Sequence, residues 1–108
     1  MTRAIALFTM VYPGQEEAKS ISLKNGRKLE CRVFSDTVFT VGTYRQGPLY
    51  EWFYLVPTVT DGRVTDVIAV DREGNPDTDR QKEWDAYAEY IVTMLPESRK
   101  KKLELLLK

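Results

Sequence analysis

The sequence predicts an α+β domain, with short antiparallel strands through about residue 70 and helices after it. Three features carry that expectation. Two hairpin-turn dipeptides, Asn25-Gly26 and Asp61-Gly62, are each flanked by alternating or β-branched residues. A further break at Gly47-Pro48 separates two more strand-like runs. From about residue 78 the apolar spacing then changes from two to three or four. Together they describe a five- to six-stranded antiparallel meander or small partly open barrel followed by two C-terminal helices. The whole chain, 1–108, is expected to be one domain, with strands over about 3–70 and helices over about 79–95 and 97–107.

Residues 3–12 set Ile5, Leu7 and Val11 against Ala6, Phe8 and Met10. Apolar residues on both sides read as a central strand, ended by Pro13-Gly14. A basic start before a brief apolar run is superficially signal-like, but Thr9 interrupts it and no small-residue cleavage site follows. Residues 15–19 are a polar connection. Segments 20–24 and 27–33 flank Asn25-Gly26, a pair suited to the two positive φ angles of a type I′ turn. Leu29, Cys31 and Val33 would then share one face, leaving Lys28, Glu30 and Arg32 on a wet one.

Ser35-Asp36 is a turn into a strand over 37–44. Residues 49–56 are the densest apolar run, and Pro57 limits pairing beyond it. Segments 58–60 and 63–70 form a second hairpin across Asp61-Gly62, and 71–77 is a polar loop. Thr78-Asp79-Arg80-Gln81 has the form of a capping box. Trp84, Tyr87, Ala88, Ile91 and Leu95 follow as one helical stripe. Pro96 separates this helix from a second, in which Leu103, Leu106 and Leu107 lie on one side and residues 99–102 are all basic.

Composition removes much chemistry. There is no histidine, which excludes Ser-His and Cys-His nucleophiles, imidazole proton shuttles and the common zinc sites. Cys31 is the only cysteine, so no intramolecular disulfide forms and a reducing, cytoplasmic location is expected. No apolar stretch approaches a membrane span. Sixteen basic and sixteen acidic residues leave no net charge, which weighs against generic binding of nucleic acid. Neither phosphate-loop pattern occurs. Asp61, Asp66, Asp71, Glu73, Asp77 and Asp79 miss calcium-loop spacing and are residues that turns and caps select in any case. No catalytic residue, metal site or cofactor is expected, and a carboxylate enzyme around Asp61, Asp66 and Asp71 is a minor alternative.

Two groups of residues are candidates for binding. Alternation puts Tyr50, Trp52 and Tyr54 on one face, where Tyr44, Arg32 and Arg45 can join them. An amphipathic helix needs a sheet face to bury against, and this aromatic face is the expected one, by the helix over 79–95. Leu103, Leu106 and Leu107 form the second group, packing on their own domain or on a partner. The expected function is a small, soluble, non-catalytic protein-interaction module such as an inhibitor, adaptor or accessory subunit. Its partner would be another protein or a second copy of itself, with no membrane partner. The alternative is a small β-barrel that binds single-stranded nucleic acid on its aromatic residues.

Overall fold

The computed structural model describes residues 1–46 and 50–108, the side chains of Tyr50 and Glu51 excepted. Gly47, Pro48 and Leu49, a predicted break and the start of a predicted strand, lie outside the described residues.

Five strands form one open antiparallel meander: β1 (Ala18–Ser22), β2 (Lys28–Val33), β3 (Phe39–Tyr44), β4 (Tyr50–Thr60) and β5 (Arg63–Val70), each beside the next in sequence. Both expected hairpins are present. At Asp61-Gly62 both residues have positive φ, 53° and 77°, as a type I′ turn requires. The Asn25-Gly26 turn differs from the expected one, because Gly26 alone takes a positive φ, 82°. The Gly26 amide donates to the Leu23 carbonyl at 3.2 Å and the Leu23 amide to the Arg27 carbonyl at 2.8 Å, so the loop is longer, with glycine in its left-handed position.

Pro57 does not interrupt β4. The last β3 pairing is Phe39 with Leu55, so at Pro57 the strand has only β5 for a neighbour, and a missing N–H is tolerated there.

The expected first strand is a helix, α1 (Arg3–Val11). Ala4, Leu7, Phe8 and Val11 recur at helical spacing, Thr2 caps by accepting from the Ile5 amide at 3.2 Å, and the Thr9 hydroxyl donates to the Ile5 carbonyl at 2.8 Å. A short apolar run fits either period, and here only the Thr2 cap distinguishes them. The segment is buried on several sides as a helix and not as a central strand: α1 packs on β5, α2 (Thr78–Thr93) and α3 (Glu97–Leu106).

The two C-terminal helices are those expected. The α2 cap, however, is Asp77, whose carboxylate accepts from the Arg80 amide at 3.1 Å, and Thr78 is the first helical residue. Trp84, Ala88, Ile91 and Leu95 are buried as the stripe predicts, and Leu103 of α3 joins them. α1 and α2 pack on the face carrying Ile21, Leu29, Cys31, Val41, Phe53, Leu55, Val67 and Ala69, α3 packs on α1, and among the described residues no helix lies over the opposite face.

Candidate functional site

The helix-covered face of β4 is the one bearing Phe53 and Leu55, not the one bearing Trp52 and Tyr54. Phe53 packs against Trp84 and Tyr87, with ring centroids 5.6 and 5.0 Å apart, and the Arg80 guanidinium lies 4.4 Å from the Phe53 centroid. Arg80 also donates to the Trp52 carbonyl and to Glu83, which joins the start of α2 to β4. The expectation that α2 covers the aromatic face is therefore overturned. Its cause is simple: a fully apolar Phe and Leu bury at less cost than tyrosine hydroxyls that need partners.

On the helix-free face the register aligns Ala18, Arg32, Thr40, Tyr54 and Val70 in one row across all five strands. Trp52, 43% exposed, lies two residues from Tyr54 on the same side, and Val56 pairs with Ile68 on the other flank. Phe34, just beyond β2, leans over this row and meets Tyr54 edge to face at 4.9 Å. Phe34 and Ile68 are both among the exposed large apolar side chains.

Two charged side chains of this face pair with each other. Arg32 Nε donates to Glu30 Oε2 at 2.6 Å, the two being neighbours at i and i+2. This hydrogen bond and the Glu30 charge hold the Arg32 guanidinium above its ordinary value. Glu30 is only 6% exposed, so the expectation of a fully wet outer face on β2 fails here. Its row neighbours are Ser20 and Gly42, small residues over which the long Arg32 side chain can fold. Val33, expected on the buried face, is exposed instead at the end of β2.

Of the residues singled out in the sequence, Arg32, Trp52 and Tyr54 come together on this face, and half-buried Tyr44 lies on it opposite Lys28. Arg45 does not join them. Its guanidinium donates to the Asn25 carbonyl at 2.7 Å and ties the end of β3 to the first hairpin loop. The Tyr50 side chain is outside the described residues. Backbone pairing goes from Val41 with Phe53 to Thr43 with Tyr50, so two β4 residues oppose Gly42 alone. Such a bulge breaks the strict alternation that aligned Tyr50 with Trp52 and Tyr54. Leu103 is fully buried under α1, and Leu106 and Leu107 pack partly on the same core, far from the aromatic row.

Phe34 and Ile68 were not singled out in the sequence. Ile68 had a signal, since residues 67–70 are apolar at every position and one pair must face away from the helices. Phe34 sits at a strand end, where alternation gives no direction.

The acidic residues serve local structure. The Asp71 carboxylate accepts from the Glu73 and Asn75 amides, both at 2.9 Å, and Asp77 caps α2. No group of three or more acidic or cysteine side chains among the described residues is placed to hold a metal ion. Cys31 lies in the core, and burial, with the Glu30 charge adding to it, pushes its thiol up to about 12. No helix among the described residues is long and apolar enough to cross a membrane.

The class defined here is a small α+β domain, a five-stranded antiparallel meander with helices on one face. Comparison with known proteins returned no matching family model, and no curated protein or solved structure matched significantly.

Proposed function

We propose that the protein is a non-catalytic interaction module that binds a partner protein on the helix-free face of its sheet. The single observation that carries this reading is the set of exposed apolar side chains, Phe34, Trp52 and Ile68, on a face that no helix among the described residues covers. Aromatic residues beside an arginine are the usual composition of an interface centre. The charge on this face favours a protein over nucleic acid. Lys28 and Arg32 are matched in number by Glu30 and Asp66, and Arg32 is already engaged by Glu30. Phosphate recognition would need an uncompensated basic stripe. A cytoplasmic location accords with the single buried thiol.

The test compares affinity capture by the wild type with capture by Trp52→Ala and Ile68→Asp, each checked for folding by circular dichroism. A specific partner retained by the wild type and lost from both variants is the expected result. Recovery of the same proteins by folded variants would overturn the proposal. Sedimentation velocity identifies the case in which the partner is a second copy. Salt-sensitive quenching of tryptophan fluorescence by an oligonucleotide would favour the nucleic-acid alternative.

A further inference from the structure

An open sheet has two edges, and in this protein they are treated differently. On β5, the Gln81 side chain accepts from the Ala69 amide at 2.8 Å and reaches the Val67 carbonyl at 3.5 Å. The Asp77 amide donates to the Ala69 carbonyl at 3.1 Å and the Val67 amide to the Asp66 carboxylate at 2.9 Å, so this edge is closed at Val67 and Ala69. The β1 edge is open. The Leu23 amide donates to Arg27 and the Val33 amide to Glu17, which makes residues 17, 19, 21 and 23 those that bond β2. By antiparallel alternation, Ala18, Ser20 and Ser22 present their N–H and C=O groups outward, and no described group takes them.

Beside this edge is a groove of about 350 Å³, formed by Met10 of α1, Lys19 of β1, and Arg99, Lys102, Leu105 and Leu106 of α3. Met10, Leu105 and Leu106 are its apolar lining, and Leu105 is 67% exposed. Lys19, Arg99 and Lys102 make no ion pair or hydrogen bond among the described residues, and Glu16 and Glu17, just before β1, pair with none of them. The other two lysines of the basic run, Lys100 and Lys101, lie with Glu97 and Glu104 on a different side of α3. The helix thus sorts its cations, and the unbalanced ones converge with Lys19.

We propose that the β1 edge and this groove together dock an extended acidic segment of a partner protein, added to the sheet as a sixth strand. The ladder supplies main-chain hydrogen bonds at Ala18, Ser20 and Ser22. Every second side chain of the added strand projects to the helix side, as Lys19 does, where carboxylates meet the three cations and an apolar residue meets Met10, Leu105 and Leu106. A lone lysine is an ordinary guard on an edge strand, but three cations from two elements beside three apolar side chains exceed that need. Edge-to-edge pairing of two copies would bring six of these cations together, so the occupant is a heterologous acidic chain. This surface is separate from the helix-free face and does not depend on its role.

The experiment selects peptides from a displayed library of random heptapeptides on the full protein, then measures binding by fluorescence anisotropy. Enriched sequences are expected to carry Asp or Glu alternating with an apolar residue, and to bind more weakly as salt rises. Ser20→Pro removes one outward N–H and leaves the bonds to β2 intact, so it is expected to fold normally and to weaken binding roughly tenfold or more. The double variant Arg99→Glu with Lys102→Glu is expected to lose binding to a similar extent, roughly tenfold. The proposal is overturned if no peptide is enriched, if selected peptides lack acidic residues, or if folded Ser20→Pro binds them as the wild type does. It is equally overturned if sedimentation shows a dimer that Ser20→Pro dissociates, or if anionic vesicles bind both proteins alike and compete with the peptides.

Discussion

The rings of Phe34 and Tyr54 meet edge to face on the helix-free side of the sheet, centroids 4.9 Å apart and planes at 75°. Phe34 is 52% exposed, so the pair adds little to the core and holds an aromatic surface in place. Phe34→Ala is expected to lower unfolding free energy by only about 0.5–1.5 kcal/mol, the range of an aromatic pair. If this face is the interface, the same change weakens capture of the partner far more than its stability cost would suggest. Urea denaturation and affinity capture on the same variant separate the two effects.

Gln81 closes the β5 edge with both ends of its amide. Gln81→Ala leaves the Ala69 N–H and the Val67 C=O without that partner, at an expected cost of about 1–3 kcal/mol. Reopening the edge also exposes a ladder for other chains. Faster amide exchange at Ala69 and concentration-dependent light scattering are the expected signs. A variant that keeps wild-type stability and stays monodisperse would show that water replaces the side chain at no cost.

How far the sequence disclosed this arrangement depends on whether a signal was local. Asp61-Gly62 fixes its turn through two backbone angles, and the stripe from Trp84 to Leu95 identifies its own helix, so both were legible. The segment from Arg3 to Val11 was not, because it is apolar almost all round and burial on several sides suits a helix or a strand equally. Which face of β4 turns inward was also hidden. Trp52 and Phe53 are both large and aromatic, and the choice follows from what Trp84 and Tyr87 offer across the core. Gln81 looked like a capping residue, since its alternative partner lies on a strand 12 residues away in sequence.

Trp84 is fully buried beside Phe53 and Tyr87, and its Nε1–H finds no acceptor among the described residues. Trp84→Ala is expected to cost about 3–5 kcal/mol, a large part of the stability of a domain this size. Trp84→Phe also loses volume, yet it removes the stranded donor, so its cost is expected to be clearly smaller. Urea titration orders the two variants. The fluorescence of Trp52→Phe, which keeps only Trp84, should be blue-shifted and poorly quenched by acrylamide.

Cys31 gives a pH dependence whose sign is fixed. Its thiol is pushed up to about 12 in the folded protein by burial first and the Glu30 charge second. In the unfolded chain it titrates near ~8.5. A raised folded value means that its contribution is fully present below about 8.5 and is lost as pH rises toward the folded value. Across that window the unfolded state holds fewer protons, so stability falls by about 1.4 kcal/mol per pH unit from this group alone. At pH 10 the wild type should therefore have lost about 2 kcal/mol more, relative to pH 8, than Cys31→Ala has. Urea denaturation of both proteins at the two pH values measures that difference directly. Equal losses would mean that the thiol ionises in place near its unfolded value.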